Sequence, residues 1–214
     1  MRAELFGMIH KALRSRLFDL SIELARCDFT DAAQARTARN AYERTVGFLR
    51  EHHEHEESFV EPFLEKRAPS IVSANRAQHE AIDAKLARLD ALIAEAKGAE
   101  SAKRLVSAYD EFLAEYLVHM RHEEGTVQAA LWEHFTDEEI LGVQGRIQGS
   151  IPPPRFAEWL EIMLPALNLD ERAMMLGGIR RKAPEPAFRM ASEIAVRVLG
   201  QNAFAAVSRR IGEA

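Results

Sequence analysis

Apolar residues along this chain recur every three or four positions, and no stretch alternates in the strand manner with turn signals on both sides. Phe6, His10, Leu13, Leu17, Leu20 and Leu24 make a first stripe, and Thr45, Leu49, His52, Glu56, Phe59 and Phe63 a second. Val72, Arg76, His79, Ile82, Leu86, Leu89 and Ile93 make the third. Leu105, Tyr109, Phe112, Tyr116, His119, Glu123, Val127 and Ala130 make the fourth. Three-four spacing lays each stripe along one helix face, which is the packing seam of a helical bundle. The pattern predicts an all-α chain built on an antiparallel up-down-up-down four-helix bundle.

The breaks between stripes carry the chemistry of helix ends. Asp28-Phe29-Thr30-Asp31 offers N-cap residues, Ala68-Pro69-Ser70 separates the second helix from the third, and Gly98 separates the third from the fourth. Thr136-Asp137-Glu138-Glu139 reads as a capping box opening a short fifth helix. Of eight prolines only Pro62 and Pro69 precede residue 150, and Gly149-Ser150-Ile151-Pro152-Pro153-Pro154 is the clearest linker. Residues 1–149 are therefore expected to form one unit and 150–214 a C-terminal helical extension. Within the extension, Phe156, Trp159, Leu160, Met163 and Leu164 form an apolar face ended by Pro165. Further helices are expected near 170–181, near 186–199 and at the C-terminus. That face either covers the bundle or makes a homodimer.

Composition narrows the function. With 47% hydrophobic and 29% charged residues the chain is an ordinary globular mixture, which argues against disorder. The net charge of −5, concentrated as 26 acidic against 19 basic residues in 1–149, argues against a nucleic-acid partner. Arg180-Arg181-Lys182 is too short a basic run to change that. A single cysteine, Cys27, excludes a disulfide framework or cysteine zinc finger and suits a reducing compartment. No apolar run approaches a membrane span and the first residues lack a signal-peptide core, so a cytoplasmic protein without membrane attachment is expected.

Six polar residues interrupt the stripes: His10, His52, Glu56, His79, His119 and Glu123. A buried carboxylate or imidazole without a partner is costly, so six in one core need each other or a metal. Their heights agree. His10 stands 18 residues before Asp28 and His52 24 after it, while His79 stands 19 before Gly98 and His119 21 after it. Each falls roughly 30 Å from the same end of an antiparallel bundle at 1.5 Å per residue. His52 and Glu56 are four apart, as are His119 and Glu123, so each pair shares a helix face. Together they form a mixed cage of imidazole and carboxylate, suited to iron, manganese or zinc, whose carboxylates can bridge two metals. A purely structural polar layer is the plainer alternative, favoured for any one histidine alone but not for the joint pattern.

These residues resemble the hemerythrin-like (HHE cation-binding) family: a His on helix one, His-x3-Glu on helix two, a His on helix three and His-x3-Glu on helix four. Glu56-Glu57-Ser58-Phe59-Val60-Glu61-Pro62 also matches the family's paired glutamates followed by an apolar stretch and proline. The likeness covers about residues 1–135. It implies a non-haem di-iron centre with two oxo- or hydroxo-bridged irons, Glu56 and Glu123 bridging and the four histidines terminal, with zinc or manganese as alternative metals. Oxygen-carrying hemerythrins add a second helix-three His, where this chain has Asp83, and use an Asp on helix four. The departure leaves open iron positions unless Asp83 coordinates, and weighs against simple reversible oxygen carriage.

The expected function is binding or reduction of a small diatomic or peroxide ligand (dioxygen, nitric oxide or peroxide) in redox sensing, detoxification or iron handling. The alternatives are a di-iron oxidase or peroxidase, and an interaction module that the metal only stabilises. No serine, lysine or cysteine nucleophile stands beside a base, so no catalytic residue is assigned. His53 is expected to be solvated, and His55 and His122 to serve at the surface or in helix contacts. His134 suits a helix C-terminus. Tyr116, one turn from His119, is either a core residue or a hydrogen-bond donor to the centre. Cys27 is too far along the first helix to join it.

Overall fold

The computed structural model describes residues 2–212, and every regular element among them is helical. In chain order these are α1 (Gly7–Arg26), α2 (Ala32–His55), α3 (Glu61–Leu64), α4 (Pro69–Glu95), α5 (Ala99–His122), α6 (Gln128–His134), α7 (Asp137–Ser150), α8 (Pro153–Ala166), α9 (Leu169–Lys182), α10 (Glu185–Leu199) and α11 (Gln201–Gly212). Two wide π-helical turns, Glu56–Val60 and Glu123–Val127, join α2 to α3 and α5 to α6.

The ends follow local chemistry. Asp31 caps α2 by accepting from the backbone N–H groups of Ala33 (2.8 Å) and Gln34 (3.1 Å). Thr136 and Glu139 make the reciprocal capping box, each accepting from the other's backbone N–H. The expected linker is much shorter than its composition suggests. Helix α7 runs through Gly149 to Ser150 and α8 begins at Pro153, leaving only Ile151 and Pro152 between them. Proline disfavours helix in the residue before it yet fits a first helical turn, so the Pro run marks a joint rather than a tether.

The described residues fall into two compact units: 2–6 with 13–147, and 7–12 with 148–212. In the first, Tyr42 Oη donates to Asp90 Oδ1 (2.8 Å) between α2 and α4, and Tyr109 Oη donates to the Leu17 carbonyl (2.8 Å) between α5 and α1. Burial pushes both phenols above their ordinary values, so they stay protonated donors. Lys85–Glu115 and Arg88–Glu111 pair α4 with α5. The core includes Leu13, Leu17, Leu49, Leu89, Leu105 and Phe112, and a cluster of Phe6, Val60, Leu64, Val72, Val127, Leu131, Ile140 and Val143 lies at the π-turn end. The second unit has its own core of Leu160, Leu164, Leu176, Ala191, Ile194, Ala195 and Val207. Pro165 does not end α8 but lies within its last turn, the helix closing at Ala166, where Arg172 takes up the open Leu164 carbonyl (2.8 Å). Gly200, at φ 84°, supplies the left-handed residue between α10 and α11.

Two stripe assignments need correction. On the second stripe Phe59 and Phe63 are only half-buried, while Val60 and Leu64 are buried. The π turn adds a residue, so the inward positions run 52, 56, 60 and 64 instead of switching to a three-residue step. The fourth stripe passes its own π turn in the same way, with His119, Glu123, Val127 and Leu131 all buried. On the third stripe Arg76 is exposed and Asn75 takes the buried place. The Arg76 guanidinium reaches Glu61 Oε2 (2.7 Å) and Glu65 Oε1 (3.0 Å) instead.

Candidate metal centre

Histidine and glutamate reach this region because the helices carrying them are otherwise apolar on the same face. His10 comes from α1, His52 and Glu56 from α2 and its π turn, His79 from α4, and His119 and Glu123 from α5 and its π turn. None is more than 7% exposed. They form two overlapping donor groups, His10–His52–Glu56–Glu123 and Glu56–His79–His119–Glu123, each with one ligand atom per residue and all such atoms within 4.8 Å of one another. Glu56 and Glu123 belong to both.

The carboxylates straddle the groups. Glu56 turns Oε1 toward His52 Nε2 (3.2 Å) and Oε2 toward His79 Nε2 (3.3 Å). Glu123 Oε1 lies 3.2 Å from His119 Nε2 and 3.5 Å from His79 Nε2. Glu56 thus offers one oxygen to each group, while Glu123 turns the same oxygen to His119 and His79 and counts in both groups by proximity. Two buried carboxylates ringed by imidazoles are a donor set of the borderline kind that iron, manganese and zinc accept. In chemistry and spacing, the residues fit a metal site.

Without an ion, these carboxylates must be balanced by protons. Burial disfavours the charged form of His79, but Glu123 and Glu56 outweigh it and raise the imidazole to about 10. A metal would take the place of that proton.

The surroundings include polar groups that stripe counting did not assign. Glu61 is buried, and its Oε1 lies 3.5 Å from His79 Nδ1 while its Oε2 accepts from Arg76. Gln78 Oε1 lies 3.2 Å from His119 Nδ1. Such partners behind a ligand ring fix its orientation and leave the other nitrogen for metal. Glu61 has a counterpart in Gln128: each follows its glutamate by five residues, and each is 3% exposed. Gln128 accepts from the Leu5 N–H (2.9 Å) and so ties the N-terminal segment to α6. Five residues is an off-face step in an α-helix but nearer one turn in a π-helix, so the wide turns bring these groups inward. The Glu61 N–H indeed bonds to the Glu56 carbonyl, and the Gln128 N–H to the Glu123 carbonyl. The signal in the sequence was the repeat itself, His-x3-Glu-x4-Glu/Gln.

Tyr116 is buried with its ring 5.8 Å from that of His119; burial, then Glu56 and Glu123, hold its phenol well above the ordinary value and therefore protonated. His53 is not solvated: its side chain is 14% exposed and its ring lies 3.8 Å from the His79 ring. Asp83 is 55% exposed and faces His53. The His55 ring lies tilted 6.3 Å from that of Phe59, and burial holds it below its ordinary value. His122 and His134 are half-buried. Burial, then Asp28, push the Cys27 thiol up, away from a reactive thiolate.

No described helix is long and apolar enough to cross a membrane. Comparison with curated proteins finds no match, and comparison with solved structures finds none either. Residues 2–131, more than half of the chain, match the Hemerythrin HHE cation binding domain. The spacing of His and Glu, their burial in two groups that share both glutamates, and this match make one case: the chain belongs to the hemerythrin HHE cation-binding family.

Proposed function

We propose that the chain is a non-haem di-iron protein that binds or reduces a small ligand of the size of dioxygen, nitric oxide or peroxide. In this reading His10 and His52 serve one iron and His79 and His119 the other, with Glu56 and Glu123 bridging. Helices α1, α2, α4 and α5 form the up-down-up-down bundle that carries them. The observation that supports it most is the sharing of Glu56 and Glu123 between two buried donor groups. A single-metal or purely structural layer gives no reason for two glutamates to be common to both groups.

When bound, an iron pair supplies open coordination positions and redox capacity. The protein's own part is then definite. Glu56 and Glu123 neutralise cation charge in a core where an uncompensated ion is costly. Glu61 and Gln78 hold the His79 and His119 rings, and Tyr116 keeps a protonated phenol beside His119. The role proposed is sensing, detoxification or iron handling.

The experiment is elemental analysis of untagged protein with visible spectra before and after reduction. About two irons per chain, with oxo-bridge bands that bleach on reduction, is the expected result. One zinc and no colour would overturn it. Steady-state consumption of peroxide or nitric oxide with a reductant would move the reading to an enzyme, and reaction in stoichiometric amount only would keep it a binding module.

A further inference from the structure

Beside His79 lies a third set of donors, two of which the buried groups do not use. His53, Glu57 and His79 each offer a ligand atom within 4.8 Å of the others. His53 Nε2 is 3.3 Å from Glu57 Oε1 and its Nδ1 is 3.4 Å from Asp83 Oδ1. His53, Glu57 and Asp83 line a surface cavity of about 380 Å³ together with Arg50, Glu54, Leu86 and Ala87. The one cation there, Arg50, is held by Asp90 (2.5 Å), so the cavity presents carboxylates and an imidazole.

These donors form a gradient of burial. Glu57 and Asp83 are more than half exposed, His53 is mostly covered, and His79 and Glu56 are buried. His79 belongs both to this outer set and to the inner set with Glu56, His119 and Glu123. We propose that His53 and Glu57, together with His79, are an outer divalent-cation site through which metal is loaded into the centre, with Asp83 as a further carboxylate at the mouth of the same cavity and His79 as the ligand handed from outer to inner site. A hydrated ion first exchanges waters for the exposed carboxylates, then takes the His53 imidazole, and reaches the buried glutamates without ever being bare in the core. The order suits hard oxygen donors at the surface and mixed donors within. The proposal rests on the centre at Glu56 and Glu123 being a metal site.

The test follows the metal itself. Cobalt(II) uptake by metal-depleted full-length chain is timed by its visible bands, and ferrous ion leaving the iron-loaded chain is timed with a chromogenic chelator. His53→Gln, Glu57→Gln and Asp83→Asn should each leave the final content near two ions, while slowing both uptake and release about tenfold, the lower end for loss of a supporting metal contact. Uptake and release share one route, so both must slow together. Glu111→Gln, an exposed carboxylate on α5, should change neither rate. Rates within twofold of the parent chain overturn the loading site, as does equal slowing by Glu111→Gln, which would reduce the effect to general charge. Loss of one ion in His53→Gln would make His53 a resident ligand and also overturn it. A parent chain that takes up no metal refutes the underlying centre, and is told apart from the other failures by its content alone.

Discussion

Stripping the metal and raising the pH should destabilise the first unit through one residue. Between Glu56 and Glu123, His79 is raised to about 10, against about 6.5 for an unfolded histidine. A group whose folded value is the higher one stabilises the fold fully below its unfolded value and loses that contribution as pH rises through the folded value. The window is therefore about 6.5 to 10. The difference of some 3.5 units, at about 1.4 kcal/mol each, corresponds to about 5 kcal/mol if the full shift is realised. That is a large share of the 5–15 kcal/mol typical of a domain. Urea denaturation of metal-free protein at intervals from pH 6.5 to 9.5, followed by Trp132 fluorescence in a Trp159→Phe background, reads the first unit alone. Stability should fall steadily by several kcal/mol, and Glu123→Gln, lacking the strongest partner that raises His79, should flatten the slope. A stability that stays level across the window in the parent chain refutes the assignment of a proton between these carboxylates.

Metal loading at pH 8 should release at least about one proton per chain, read with an indicator dye in weak buffer, because His79 must lose its proton to ligate; uptake without proton release would contradict the raised value. His52→Ala and Glu123→Ala should each cut metal content sharply by elemental analysis, and full occupancy in both would mean the ligand set is wrong. Leu131→Ala, at a fully buried position in the apolar cluster at the π-turn end, should cost about 2–5 kcal/mol in urea denaturation, and a cost below about 1 would mean that this end is loosely packed. Asp31→Ala should cost about 1 kcal/mol through the lost α2 cap, and no change would show that its two backbone bonds are replaced by water.

Much of the fold was readable because periodicity is a strong signal when helices are long. All six residues of the first stripe are buried, and the fourth stripe holds from Leu105 to Ala130. The grouping of the six polar residues was readable for the same reason: polar residues in an apolar seam are conspicuous, and helix rise converts sequence distance into height. What escaped were groups placed by tertiary detail. Arg76 has the spacing of a seam residue, yet a long side chain with Glu61 and Glu65 beside it gains more at the surface, leaving the shorter Asn75 inside. His53 follows His52 and so points off the seam, but α4 passes close on that side and covers it with His79 and Asp83. Off the seam of one helix is not the same as exposed.

The π turns explain why the second stripe failed where the centre begins. Inward positions at 52, 56, 60 and 64, and at 119, 123, 127 and 131, are spaced by four throughout. In an α-helix three such steps drift about 120°, which would carry the last residue off the core. One wide turn in each segment absorbs the drift, and each begins at a glutamate common to both donor groups. The distortion therefore serves two ends at once. It keeps Val60, Leu64, Val127 and Leu131 in the core past the centre, and it brings Glu61 and Gln128, five residues on, to the inner side where an α-helix would turn them outward. One of these holds His79 and the other holds the chain's first residues, so the same backbone device that seats the carboxylates also braces what surrounds them. Two helical segments with one irregular turn each, both beginning at a glutamate common to the two donor groups, are better explained by the needs of that cluster than by those of packing alone, since packing would be met equally by a three-residue step.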